Sequence, residues 1–107
     1  MIDDILGPLQ HRIMKILWVE GPLTVHGVND CLKEQARHPE LAYTTVLTVC
    51  RNLVRRKAAT SKPNGRSHLF EASLTEQEYH LAASQHFVAE VFGGNIPLAL
   101  KVIKSLE

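Results

Sequence analysis

The sequence predicts a mainly α chain carrying one small β-hairpin, and three observations predict it. Apolar residues recur every three to four positions in five separate segments. An Asn-Gly pair stands between two short runs after the third segment, and Gly21-Pro22 and Gly93-Gly94 close the first and fourth. At 107 residues the chain can bury a single core but not two independent ones.

The first helix runs from Pro8 to Val19, with Leu9, Ile13, Ile16 and Leu17 at helical spacing and Met14 and Trp18 widening the stripe. Pro8 suits a first turn, where its missing N–H costs nothing. Leu23-Thr24 is a short extended piece, and Thr24 is placed to cap a second helix from Val25 to about Gln35, whose inward positions are Val25, Val28, Cys31 and Leu32. Ala36 to Leu41, containing Pro39, is a connector.

The third helix, Ala42 to Lys57, has the clearest period, with Val46, Val49, Cys50, Leu53 and Val54 on one stripe. Its other face carries Thr44, Thr45, Thr48, Arg51, Asn52, Arg55 and Arg56, which are hydrogen-bonding or cationic and never acidic. Two strands follow, Ala58 to Lys62 and Arg66 to Ala72, joined through Pro63-Asn64-Gly65, since Asn-Gly readily takes the positive φ of a hairpin turn. Ser73-Leu74-Thr75-Glu76 has capping-box spacing ahead of a long helix to about Phe92, with Tyr79, Ala83, Phe87, Val88, Val91 and Phe92 on or near one side. Asn95 and Pro97 open a last helix bearing Leu98, Val102, Ile103 and Leu106.

Net charge is only +1, but the charge is unevenly spread. Between Arg51 and His68 stand six basic residues (Arg51, Arg55, Arg56, Lys57, Lys62, Arg66) and no acid, which leaves the rest of the chain at −5. Three helices and a hairpin, with the third helix polar outward and leading into a basic turn, form the order of a winged helix-turn-helix. In that motif the second helix of the pair enters the major groove of duplex DNA. Thr44, Thr45, Thr48 and Asn52 suit base readout, because hydroxyl and amide groups reach base edges and a Thr methyl packs on thymine. Arg51, Arg55, Arg56, Lys62, Arg66 and His68 suit phosphate contact. Residues 1–72 are expected to form the DNA-binding domain, and 73–107 a helical region.

Other classes find little purchase. No apolar run approaches the roughly 20 residues of a membrane span, and acids stand where a signal peptide is basic, so a cytoplasmic protein without membrane insertion is expected. Cys31 and Cys50 lack CxxC spacing and read as buried small apolar residues. The histidines His11, His26, His38, His68, His80 and His86 show neither HxH nor HxxxH spacing, so no metal site and no cofactor is expected within one chain, although an intersubunit site at His80 or His86 stays open. There is no phosphate loop or nucleophile motif, and Asp3, Asp4, Glu76 and Glu78 read as helix-start charges, so no catalytic residue is expected. The alternatives are a winged helix that binds a protein partner and a metal-responsive repressor.

The opening LGPLQHRIMKILWVEGPLTVHGV, the stretch AYTTVLTVCRNLVRRKAATSKPNGRSHLFEA, Glu78-Tyr79 and FVAEVFGGN together resemble the BlaI/MecI/CopY group, the penicillinase and methicillin-resistance repressors. The resemblance spans nearly the whole chain. It implies a transcriptional repressor that dimerises through its C-terminal helices and sits on a palindromic operator. By the same resemblance Thr45 and Thr48 read sequence, Thr44, Arg51, Asn52 and Arg55 assist, and Arg66 serves the wing. The implied dimer interface comprises Tyr79, Phe87, Val88, Val91, Phe92, Leu98, Val102, Ile103 and Leu106, and the implied partners are operator DNA, a second copy and a membrane sensor protease system. Two departures stand out: Val102-Ile103-Lys104 occupies the place of the Asn-Phe pair cut in staphylococcal members, and the CxC motif of the copper-responsive branch is missing.

Overall fold

A computed structural model of the chain describes residues 4–35 and 40–107. Its elements are α1 (Pro8–Glu20), α2 (Val25–Glu34), α3 (Tyr43–Arg55), β1 (Ala59–Asn64), β2 (Ser67–Ala72), α4 (Glu76–Phe92) and α5 (Ile96–Lys104). All five helices fall within two residues of where the periodicity puts them, and both strands overlap the expected runs. Asp3 and, within the expected connector, His38 and Pro39 lie outside the described residues.

The core is built by the inward stripes of the first three helices. Ile13 and Met14 of α1, Val28 of α2, and Val46, Cys50 and Leu53 of α3 are fully buried against one another. Burial of such side chains contributes roughly 1.5–3 kcal/mol each, which is what fixes the rotation of α3 about its own axis. With valine, cysteine and leucine held inward, Thr44, Thr45, Thr48, Arg51 and Arg55 are left on the exposed side.

The hairpin is tied to this core at its base. Leu23 exchanges both backbone hydrogen bonds with Phe70 of β2, at 2.9 and 2.8 Å, so the α1–α2 connection acts as a one-residue third strand. Phe70 itself is buried. The passage from α3 into β1 is made by Lys57, which takes a φ of 63° and lets Ala58 N–H reach Leu53 O at 2.9 Å. That six-to-one bond closes the helix as a left-handed cap, here with a lysine where glycine is usual.

Two local expectations are corrected. The turn is Gly65-Arg66 and not Pro63-Asn64-Gly65, because β1 continues through Asn64, which pairs with Ser67. Among the loop residues only Gly65 has a positive φ, 62°, which is the signature of a type II′ turn with glycine first. Pro63 is tolerated inside β1 since it faces His68 at the pair next to the closing one, where an N–H would point away from the partner strand. The capping box of α4 is likewise Thr75 with Glu78 and not Ser73 with Glu76. Thr75 N–H donates to Glu78 Oε1 at 2.9 Å and Glu78 N–H to Thr75 Oγ1 at 3.0 Å, while Ser73 Oγ donates to Lys57 O at 3.0 Å. The Thr75 N–H bond to the carboxylate, and then the Thr75 hydroxyl, hold the Glu78 carboxyl below its ordinary pKa.

The start of α4 is bound into the same core. Trp18 Nε1 donates to Leu74 O at 2.7 Å, Leu6 N–H donates to the Tyr79 hydroxyl at 3.0 Å, and the Tyr79 ring lies 5.4 Å from His11 and 5.9 Å from Trp18. Burial, and then the charge of Lys15, hold the His11 imidazole below its ordinary pKa. Tyr79, placed by sequence among the dimer residues, is therefore spent inside its own chain's core, at 5% exposure. Beyond Ala83 the remainder of α4 leaves the core and, with α5, forms an arm. It bends by 95° into α5, where Ala99 is the one buried residue. The radius of gyration is 16.0 Å, against about 13 Å for a compact chain of this length, and the longest extent is 50 Å.

Candidate nucleic-acid interface

Four side chains of α3, Thr44, Thr48, Arg51 and Arg55, are exposed and follow one another at intervals of four, three and four residues. That spacing sets them on one stripe of the helix, about 16 Å long at 1.5 Å per residue. Thr45 and Asn52, seven residues apart, flank it. The stripe is opposite Val46, Cys50 and Leu53, so the core that buries one face dictates the other. A helix bearing such a stripe fits a major groove roughly 12 Å wide.

The hydroxyls and amide are not all equally free. Thr48 Oγ1 donates to Thr44 O at 2.8 Å, so outward it offers its methyl and an acceptor lone pair. Asn52 is half-buried and its Oδ1 accepts from Arg55 Nη1 at 3.2 Å, which leaves its amide N–H groups for a ligand. Thr44 and Thr45 are exposed in the first turn of α3, whose N-cap, Ala42, supplies no side-chain cap. Arg56 differs from the other arginines. It is half-buried, and its Nη1 donates to Gln10 Oε1 at 2.7 Å, at the start of α1.

The hairpin meets α3 across a cleft of about 170 Å³ lined by Arg51 and Leu47 of α3, Arg66, Ser67, His68 and Phe70 of the hairpin, and Tyr43 and His26 at the corner with α2. Arg51, Arg66 and His68, three of the residues expected to contact phosphate, thus line one groove. Lys62 stands exposed on β1 opposite Leu69, outside that cleft. No acid occurs between Glu40 and Glu71, so the whole surface from the start of α3 to the middle of β2 carries no carboxylate of its own. His26 and Tyr43 were not legible as site residues; their rings lie 4.9 Å apart, a pairing between two helices that spacing within either does not reveal.

A model of the family described as penicillinase repressor matches residues 6–105. The chain belongs to the penicillinase repressor family. The match takes in α1 to α3, the hairpin and both arm helices. No curated protein matches the chain in sequence.

Among solved structures, this penicillinase repressor family member is similar to a MarR family protein from Bacillus stearothermophilus, with a TM-score of 0.54 and 16% identity over 94% of this chain and 69% of that one. It is also similar to a MarR/EmrR family transcriptional regulator from Acinetobacter sp. ADP1, with a TM-score of 0.52 and 19% identity over 95% of this chain and 63% of that one. Identities this low speak to the fold, which is that of the winged-helix regulators. Among the described residues no group of three His, Cys, Asp or Glu side chains could hold a metal ion, and no single helix is long and apolar enough to cross a membrane.

Proposed function

We propose that this chain is a sequence-specific DNA-binding transcriptional repressor that acts as a homodimer on a palindromic operator, with binding and not turnover as its chemistry. The observation that carries the reading is the outward stripe Thr44, Thr48, Arg51 and Arg55, set beside a wing that brings Arg66 and His68 to the same cleft on a carboxylate-free surface. The α3 hydroxyls and the Asn52 amide read base edges, and the arginines hold phosphates.

The arm supports the dimer. Phe87, Val91, Leu98, Val102, Ile103 and Leu106 are all exposed in the single chain, at 37% to 80%, with Val88 and Phe92 half-buried beside them. An apolar surface of that extent on a short helical arm marks an association face. Two copies joined there carry two α3 helices related by a dyad, which calls for two half-sites a whole number of helical turns apart. Val102-Ile103-Lys104 lies on α5 without the Asn-Phe pair, so the reading includes no sensor-triggered cut at that bond.

Selection of random duplexes by the purified protein tests the whole reading. Recovery of an inverted repeat, bound with an affinity that falls steeply with salt, is the expected result. Selection of no common sequence, with affinity insensitive to salt, would overturn it in favour of a protein partner for the same face.

A further inference from the structure

The corner between α2 and α3 adds something that the readout stripe does not contain. Thr24 caps α2 by accepting from Gly27 N–H at 3.1 Å, and this places His26 in the first turn, exposed, against the ring of Tyr43 in the first turn of α3. The two rings line the rim of the cleft whose other walls hold Arg51, Arg66, Ser67 and His68. Two imidazoles and two guanidiniums thus converge on one narrow opening from three elements that are remote in sequence.

We infer that His26 and Tyr43 complete a seat for a backbone phosphate with Arg51, Arg66 and His68, and that occupation of this seat is coupled to proton uptake by the two histidines. The inference rests on the DNA-binding reading. A phosphate oxygen can accept from the guanidiniums, from the Ser67 and Tyr43 hydroxyls and from imidazole N–H groups. Imidazole changes charge between about pH 5 and 8, so a phosphate placed among two of them favours their cationic forms. The charged and titratable groups that face His26 are Tyr43, Arg51, Arg66 and His68 around the cleft, and Lys33 and Glu40 on the far side of the corner. Lys33 and Glu40 are paired at 2.9 Å, so the carboxylate is already answered. His68 faces Arg51 from α3, Arg66 from the turn and His26 from α2, with no acid among them.

Binding of a labelled mixed-sequence duplex, measured against salt at pH 6 and pH 8, tests the inference, because a phosphate seat needs no particular base sequence. The wild-type protein is expected to bind more tightly at pH 6, with a salt slope steeper by about 0.9 for each imidazole charged. The His26→Gln/His68→Gln variant should bind as the wild type does at pH 8 and gain little on acidification, a loss of about threefold to fivefold per imidazole at pH 6. His80→Gln, on the exposed side of α4, should keep the full pH dependence. If the double variant retains that dependence while duplex binding stays salt-sensitive, the inference fails and the DNA reading stands. If no variant and no wild-type protein binds duplex in a salt-dependent manner, the DNA reading fails and takes the inference with it.

Discussion

Arg56 Nη1 donates to Gln10 Oε1 at 2.7 Å, and the same oxygen accepts the Gly7 N–H at 3.0 Å, so the end of α3 is fastened to the start of α1. The sequence groups Arg56 with the phosphate-binding arginines. Its half-buried guanidinium is also bonded inside the fold, where it ties the end of α3 to the start of α1.

Arg56→Gln is accordingly expected to lower stability by about 1 kcal/mol, a charge-assisted hydrogen bond discounted for partial exposure. Arg51→Gln, in the cleft, should instead leave stability within about 0.5 kcal/mol and flatten the salt slope of DNA binding by about 0.9. Urea denaturation beside a salt titration separates the two. Equal loss of slope in both variants would return Arg56 to the DNA surface.

Gly65 holds its φ of 62° at the first turn position of the hairpin, a backbone region that L side chains rarely adopt, while a Cβ there would meet nothing within 4 Å. Gly65→Ala therefore tests backbone strain without a steric clash. It should cost about 1–2 kcal/mol in the hairpin and lower DNA affinity through a displaced Arg66. Amide exchange would find the added opening confined to β1 and β2, and uniform loss of protection across α1 to α3 would contradict this.

Much of this architecture was legible because it depends on period. The α3 stripe follows from Val46, Cys50 and Leu53 alone, and the opposite face from what remains. Tyr79 was misassigned for the same reason that α3 was read correctly: the period shows which side of α4 is apolar, not whether that side meets its own core or another chain. The contacts to Leu6, His11 and Trp18 that decide the matter come from residues about 60 or more positions away. The turn is shorter and later than expected since Asn-Gly outweighed the chance that Pro63 and Asn64 still belong to a strand, which the edge position of Pro63 allows. The pairing of His26 with Tyr43 is wholly tertiary, and no pattern within α2 or α3 announces it.

The thiols provide a check on the core that is independent of DNA. Burial pushes the Cys50 thiol up to about 11, well above the ordinary thiol value of 9.0. The folded state thus holds this proton over a range where the unfolded chain has released it. Stability from this group is fully present below about pH 9 and is lost as pH rises toward 11, by about 2–3 kcal/mol in all. Cys31, half-buried beside Glu20, Glu34 and Asp30, is also raised, by burial first and by those carboxylates second. At pH 8 a thiol reagent should label Cys31 slowly and Cys50 only on unfolding. Equal labelling of both in the native protein would mean that α3 is not packed by its cysteine face.

The arm carries the last prediction. Val91 is 59% exposed and Leu98 43% exposed, on either side of the Gly93-Gly94 bend. Neither contributes to the core that holds α1 to α3 and the hairpin. A charge at either position should leave each protomer folded and break its association. In a two-fold interface every substitution counts twice, so Val91→Asp or Leu98→Asp removes about 4 kcal/mol of burial, close to a thousandfold in the dimer dissociation constant. Sedimentation equilibrium should report a monomer with an unchanged helical circular dichroism spectrum. The affinity for an inverted repeat should then fall to that for one half-site, because the two α3 helices no longer arrive together. A variant that stayed dimeric would move the interface elsewhere on the molecule, and one that unfolded would make the arm part of the core it now extends away from.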